Sequence, residues 1–193
     1  TLTRFSDSDT FANIINTAKV EAIAKNQIKV YAAGSVLIDS IDPNKVKFDK
    51  NNTAYPTLQV TGVTLAADKK SAVLSLNSNL GADAKIGTDA VTLCADVDAV
   101  KTTTGVKSQV VPSGSGVTII DKIKPTVQPV DGKFEVAGDT ITVKFDEALD
   151  PTVTTTAAAI ALVVKDSKGN QLVPTSDYTV AYVNGNKDLA LRI

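Results

Sequence analysis

Short stretches in which apolar and polar residues alternate run through most of this sequence, and they constrain its fold more than any other feature. Residues 140–145 (TITVKF) place their apolar side chains on one face and Thr or Lys on the other. Residues 178–193 contain two such stretches around an Asn-Gly-Asn turn at 184–186, where Asn and Gly tolerate the positive φ of a hairpin. The sequence therefore predicts an all-β fold of antiparallel sheets.

Residues 9–22 depart from this alternation. Their apolar positions follow helical spacing, and Asp9 is placed to cap a helix. An alternative interpretation, a linker followed by a strand at 17–23, comes from the internal repeat described next. We favour the strand.

An internal repeat organises the chain. Residues 26–46 (NQIKVYAAGSVLIDSIDPNKV) and 139–153 (DTITVKFDEALDPTV) both run from an alternating strand through a spacer to an apolar residue and Asp-Pro. Residues 58–76 resemble 178–193 in having a strand, a polar turn and a strand. Two copies of one module explain this pattern, and the same alignment matches 17–23 with 125–130.

The repeat sets the expected boundaries. Residues 1–16 are predicted to be the tail of a preceding module or a linker, 17–120 the first module, 121–125 a linker with Pro125, and 126–193 the second module. The second module is expected to be incomplete, because the strand at its end is followed in the first module by further strands. The expected core residues are Ile28, Val30, Val60, Val73, Leu74, Leu76, Val91, Leu93, Ile141, Val143, Phe145, Val180, Leu189 and Leu191.

Composition narrows the classes of function. Twenty basic residues balance 21 acidic ones, and Arg4 and Arg192 are the arginines, so a nucleic-acid partner is not expected. No run of apolar residues is long enough for a membrane span. Without His, a Ser-His or Cys-His dyad cannot form, and Cys94 in its alternating run is expected to be buried. An enzyme is therefore not expected.

The segment ITVKFDEALDP, the Asp-Ser-Lys-Gly-Asn turn at 166–170 and the strand DYTVAY resemble the bacterial immunoglobulin-like repeats found in surface-layer (S-layer) proteins of bacilli. The stretch at 105–127, GVKSQVVPSGSGVTIIDKIKPTV, resembles the end of one such repeat running into the next. The resemblance implies tandem immunoglobulin-like β-sandwiches, secretion to the cell surface of a Gram-positive bacterium, and copies of the protein assembled in a lattice. It also implies calcium near domain joints. The cell-wall-binding segments of the family do not occur in this sequence, so anchoring is assigned to regions outside it.

Two sets of acidic residues are candidate sites. Asp42 and Asp150, each followed by Pro, could be metal ligands, but we favour helix capping, because Asp accepts from backbone N–H groups and Pro has the φ of a first turn. Asp121, Asp146 and Glu147 are the candidate calcium ligands at the joint. The alternative for this second set is solvated loop carboxylates. Residues 114–116 (GSG) are predicted to form a flexible strand connection rather than a phosphate loop.

The expected function is that of a structural, non-catalytic module pair in a self-assembling S-layer protein. The alternative is an adhesin stalk or a carbohydrate-binding accessory module. A row of exposed aromatic side chains would favour carbohydrate binding, whereas the four tyrosines here are scattered along the sequence.

Overall fold

The chain divides into two compact units, Thr1–Ile123 and Lys124–Ile193. This division comes from a computed structural model, which describes residues 7–81, 84–86, 88–128, 134–149, 152, 154–155 and 162–193. The point of division lies within the expected linker at 121–125. Each unit is described by itself below.

Short strands are the main secondary structure of the first unit. Its elements in chain order are β1 (Ser8–Asp9), α1 (Phe11–Ile14), β2 (Glu21–Ala24), β3 (Gln27–Tyr31), β4 (Ile38–Ile41), a 3-10 helix (Pro43–Lys45), β5 (Val46–Lys50), β6 (Thr53–Ala54), β7 (Val60–Leu65), β8 (Ser71–Leu76), β9 (Lys85–Ile86), β10 (Asp89–Ala95), β11 (Val100–Thr102), β12 (Lys107–Ser108), β13 (Val117–Thr118) and β14 (Ile120–Asp121).

These strands form three sheets in the described part of the first unit. One has the order β14-β2-β3-β8-β7, the second has the order β13-β10-β5-β6 with β9 also paired to β10, and the third has the order β1-β12-β11-β4. Most pairs are antiparallel, but β14 runs parallel to β2 and β1 runs parallel to β12. All three sheets contribute buried side chains to one hydrophobic cluster, for example Leu74, Leu93 and Ile38.

The second unit is built around one four-stranded antiparallel sheet. Its strands are β15 (Glu135–Ala137), β16 (Thr140–Lys144), β17 (Thr179–Val183) and β18 (Asp188–Arg192), in the order β15-β16-β18-β17. A separate hydrophobic cluster covers one face and is formed by Val143, Tyr178, Val180, Leu189 and Leu191. The hairpin at 184–187 has positive φ at all three residues of the Asn-Gly-Asn turn, as predicted.

The all-β prediction is confirmed, and the expected core is largely correct. Eleven of the fourteen expected residues are buried, and Ile141 and Phe145 pack against the second cluster while partly buried. Val73 is the exception. Ala72 and Leu74 point into the first core, so the alternation of β8 directs Val73 to the opposite face.

The internal repeat has a counterpart in sheet topology. In the first unit β2, β3, β8 and β7 are neighbours in that order, and in the second unit β15, β16, β18 and β17 follow the same order, with antiparallel pairing throughout. In each copy, β3 or β16 pairs with the second strand of the hairpin, β8 or β18, and with its own N-terminal neighbour, β2 or β15. The two copies therefore share a four-stranded substructure.

The hydrogen bonds beside this substructure correct the repeat alignment. Asn16 N–H donates to Tyr31 O (2.8 Å), as Gln128 N–H donates to Lys144 O (2.7 Å). Ala33 N–H donates to Ile14 O (2.9 Å), and the equivalent bond of the second unit runs from Asp146 N–H to Thr126 O (3.0 Å). Residues 14–16 are thus the counterpart of 126–128, and the match of 17–23 with 125–130 is displaced.

This equivalence also changes how the N-terminal segment is interpreted. The prediction of a preceding module's tail or a linker at 1–16 does not hold for residues 8–16, because Phe11, Ile14 and Ile15 are buried in the first core and β1 pairs with β12. The two interpretations of residues 9–22, a helix and a strand, are each correct for a part of this segment. The helix α1 covers four residues, and β2 begins seven residues after it ends. Burial of three large apolar side chains fixes this segment to the first unit.

Two separate clusters predict separate effects of core truncation. Leu74→Ala should lower the free energy of unfolding of the first unit by about 2–5 kcal/mol, because it leaves a cavity among buried side chains. Leu191→Ala should act in the same way on the second unit. Hydrogen exchange followed by mass spectrometry on the full chain measures the stability of each unit separately, from the exchange rates of the peptides that belong to it. Faster exchange across both units in either variant would show that the clusters unfold together.

Candidate functional sites

A buried carboxylate is the most unusual polar feature of the first unit. Asp49 lies on β5 opposite Thr92 of β10, and Lys47 lies opposite Cys94. Directly opposed residues of an antiparallel pair share a face, so these four side chains lie together on the outer face of the sheet. Asp49 is nevertheless only 1% exposed.

Residues 112–116 cover this face. Ser113 Oγ donates to one carboxylate oxygen of Asp49 (2.7 Å), and Gly114 N–H donates to the other (2.6 Å). Cys94 Sγ donates to Pro112 O (3.7 Å). We call this group of residues, namely Asp49, Cys94, Pro112, Ser113 and Gly114, the Asp49 clip.

Gly116 allows the segment to approach so closely. A Cβ at this position would overlap Thr92 Oγ1 and lie 2.9 Å from Cys94 Sγ, so no side chain fits here unless its surroundings shift. The glycine is required for close packing rather than for flexibility. The GSG sequence at 114–116 is thus a strand connection, as expected, but one that is held against a sheet.

The Asp49 clip shifts the pKa values of its two ionisable groups, Asp49 and Cys94, in opposite directions. Burial raises the pKa of Asp49, but the hydrogen bonds from Gly114 N–H and Ser113 Oγ outweigh burial, and the pKa lies below its ordinary value. Burial and the neighbouring Asp49 carboxylate raise the pKa of the Cys94 thiol to about 12. At neutral pH Asp49 is therefore ionised and Cys94 is a neutral thiol.

This electrostatic state decides what the clip can do chemically. A carboxylate of lowered pKa is a weak base, so it activates neither the Ser113 hydroxyl nor the thiol as a nucleophile. Its two oxygens instead satisfy a hydroxyl and a backbone N–H. The clip therefore fastens the segment at 112–116 to the sheet.

A cavity of about 370 Å³ adjoins the clip and shares Asp49, Cys94 and Ser113 with it. Its other walls include Lys47, Tyr55, Gln59 and Asp96, so it mixes charged, aromatic and amide groups. Lys47 and Asp96 form an exposed ion pair at its rim (3.8 Å). A second cavity of about 320 Å³ lies between α1 and the turn at 102–104.

The predicted calcium ligands lie in different units. Asp121 accepts from Ile123 N–H (2.8 Å) within the first unit. Asp146 accepts from Thr126 N–H (2.7 Å) within the second, where Glu147 follows it in a bend. Among the residues that the structure describes, no group of three or more Cys, Asp or Glu side chains could hold a metal ion. Asp121 thus stabilises a local backbone turn, whereas Asp146 binds the backbone of the neighbouring segment that contains Thr126.

The Asp-Pro interpretation is confirmed at the first site. Asp42 is the N-cap of the 3-10 helix at Pro43–Lys45, and its carboxylate accepts from Asn44 N–H (3.0 Å). Pro43 occupies the first turn, where a missing N–H costs nothing. The second pair, Asp150 and Pro151, lies outside the described residues.

The tyrosines occupy unrelated environments. Tyr178 is buried in the second core, and the ammonium groups of Lys19 and Lys29 lie 4.2 and 4.8 Å from the ring centre of Tyr31. The Tyr31 hydroxyl donates to Glu21 (2.9 Å). Tyr55 and Tyr182 are partly buried against the first and second clusters. These positions do not build a row of exposed aromatic rings.

Sequence reasoning missed the Asp49 clip. Ser113 and Gly114 lie 64 and 65 residues after Asp49 in the sequence. Asp49 also belongs to an alternating run (VKFDK), in which a charged residue is expected to be exposed to solvent. The one available signal was Pro-Ser-Gly-Ser-Gly at 112–116, which combines a hydroxyl with two residues that permit close backbone approach.

In the described part of the chain, no helix has the length and apolar character needed to cross a membrane. No protein-family model matches the sequence, and no curated protein matches it. Among solved structures, the chain is similar to a crystal structure of the S-layer protein rSbsC, with 16% sequence identity and a TM-score of 0.40. The similarity covers 89% of this chain and 21% of that chain.

Removing the buried charge should destabilise the first unit. Asp49→Asn replaces an acceptor of Gly114 N–H or Ser113 with an amide, and we expect a loss of about 1–3 kcal/mol in the free energy of unfolding at pH 7. Because the folded pKa of Asp49 is lowered, its contribution exists above the ordinary carboxyl pKa and is lost as pH falls through the folded value. Urea unfolding should therefore show the gap between wild type and variant shrinking in acid.

Asp96→Asn is the matched control for this experiment, since Asp96 is an exposed member of a surface ion pair. It should leave the urea midpoint nearly unchanged. Equal midpoint shifts for the two variants would contradict the clip.

The thiol should be inert in the folded protein. Cys94 is 3% exposed and its pKa is raised to about 12, so Ellman's reagent at pH 8 should label it only after unfolding in urea. Since the folded pKa lies above the unfolded one, the associated stability is present in neutral solution and decreases as pH rises from about 9. Rapid labelling of the native chain would show that the segment at 112–116 does not stay closed.

Proposed function

We propose that this chain is a structural, non-catalytic module pair of a self-assembling bacterial cell-surface (S-layer) protein, built from two immunoglobulin-like β-sandwiches. Three features support the proposal: the repeated order of four strands, an antiparallel all-β fold, and acidic side chains that serve backbone turns and the clip. Export to the surface of a Gram-positive cell belongs to the same proposal, with anchoring supplied by other regions.

A difference in exposure between equivalent positions of the two units supports the assembly part of the proposal. Ala22 of β2 and Val136 of β15 are equivalent, because each lies opposite the matching isoleucine of the next strand, Ile28 or Ile141. Ala22 is 0% exposed, whereas Val136 is 67% exposed. The same position is thus buried in one copy and exposed in the other.

The two strands also differ in what pairs with their outer edge. The parallel strand β14 pairs with β2, and Ile120 N–H and Lys122 N–H donate to Val20 O and Ala22 O (both 2.8 Å). All three residues of β15 are exposed, and Phe134 just before it is exposed too. An apolar edge strand of this kind favours pairing with a further strand.

We assign this edge to contact with a second copy of the protein. Strand addition supplies backbone hydrogen bonds, and Phe134 and Val136 supply apolar area. Val163 and Val173, which the bridge between Lys165 and Gln171 places opposite each other, add a second exposed apolar pair on the same unit. Repeated contacts of this type extend into a lattice when the symmetry is open.

Calcium remains part of the proposal. Asp121, Asp146 and Glu147 provide the hard oxygen ligands that the ion prefers, and two of these carboxylates are already oriented by backbone N–H groups. Isothermal titration of the chelator-treated chain with calcium tests this directly. The Asp146→Asn variant should weaken binding, and an identical heat for variant and wild type would exclude this set.

Self-association should depend on the exposed edge. In sedimentation velocity the wild-type chain should show association that increases with concentration, and negative-stain electron microscopy should show ordered sheets. Val136→Lys should reduce both, because a charge on the edge opposes strand pairing. Val97→Lys is the control, since Val97 is an exposed apolar residue in a turn of the first unit.

A monomer at every concentration, with and without calcium, would contradict self-assembly. In that case retention on immobilised polysaccharide would point to a carbohydrate-binding module, and its absence to an adhesin stalk. Equal effects of the two lysine substitutions would show that the edge has no special role.

A further inference from the structure

The hairpin between β17 and β18 contains a pair of residues with specific chemistry. Asn184 and Gly185 are exposed in the connecting loop, and both have positive φ, 52° and 66°. An asparagine followed by glycine is chemically labile, because glycine has no side chain to hinder the approach of its backbone nitrogen to the asparagine amide. The structure adds a partner for that amide.

The Asn184 side-chain amide donates to the carboxylate of Asp188. Asp188 opens β18 and is only 5% exposed, although it is charged. In the sheet it lies opposite Val183 on one side and Lys144 on the other. Asp188 thus spans the loop and holds the amide within the closed hairpin.

We propose that Asn184 is a site of spontaneous deamidation, and that Asp188 controls its rate by holding the side-chain amide. In the reaction the Gly185 nitrogen attacks Cγ of Asn184, the new N–Cγ bond closes a succinimide, and the Cγ–Nδ2 bond breaks with release of ammonia. Water then opens the ring at either carbonyl to give aspartate or isoaspartate. No oxidant or reductant takes part.

The closed hairpin slows the first step. Attack requires the Asn184 side chain to turn until Cγ meets the Gly185 nitrogen, and this rotation breaks the contact between the amide and Asp188. The reactive geometry therefore belongs to an open state of the hairpin. Local opening has its own free energy, which sets the population of such states.

The product does not restore the original contact. It places a carboxylate where the amide donated to Asp188, so two like charges face each other, one of them on the buried Asp188. Lys144 opposes Asp188 but already pairs with Glu135 (2.6 Å), and Lys187 lies in the exposed loop. Isoaspartate also lengthens the backbone within the turn. Deamidation is thus a one-way change that weakens the start of β18.

Peptide mapping by mass spectrometry tests the control by Asp188. The full chain is incubated at pH 8 either native or in urea, together with native Asp188→Ala. Asn184 should deamidate at least about tenfold more slowly in the native wild type than in urea, and the variant should approach the urea rate. Equal wild-type rates with and without urea would overturn the proposal, as would an intact Asn184 in urea.

A second measurement does not depend on the folding of the Asp188 variant. Asn184→Asp reproduces one product directly and should lower the urea midpoint at pH 7, because it places a second carboxylate beside Asp188. Asn186→Asp, in the same turn and with the same added charge, is the matched control and should change the midpoint little. Identical midpoints for the two variants would show that the product carboxylate does not face Asp188.

Discussion

The antiparallel pairing of β3 with β8 is the contact on which the rest of the first unit depends. Ile28 lies opposite Leu74 and Val30 opposite Ala72, so four apolar side chains are directed to the same face and are all buried. A strand alternates faces with a period of two, and a shift of one residue would turn this set to solvent. The hydrophobic cluster therefore fixes the register, and the neighbouring strands follow from it.

A different constraint acts on the outer face of the second sheet, where a charge is buried. Asp49 has no adjacent cation in the clip, and it keeps its ionised form through neutral donors from the hydroxyl of Ser113 and the backbone of Gly114. Hydrogen bonds to a carboxylate in a dry environment are stronger than those between neutral groups. A polar contact over this distance along the chain gives the connection at 112–116 one conformation.

The sequence pattern predicted those structural features that depend on residues close together in the chain. The alternation in TITVKF, the Asn-Gly-Asn turn and the capping by Asp42 depend on residues close in sequence, and the structure confirms them. Two kinds of information were absent from the pattern. The equivalence of 14–16 with 126–128 is carried by backbone hydrogen bonds, which side-chain identity does not record. The face of Val73 and the donors of Asp49 depend on elements distant in sequence.

The parallel pairing of β14 with β2 has a consequence for synthesis on the ribosome. Ile120 pairs with Glu21, so the strand that closes this edge is among the last parts of the first unit to be made. Until it emerges, the growing chain carries β2 with one side unpaired and Ala22 without its final cover. Contacts between distant segments form slowly, because the intervening chain must first be ordered. The first unit is therefore completed only when translation has passed β14, and until then the unpaired edge of β2 favours aggregation of the nascent chain.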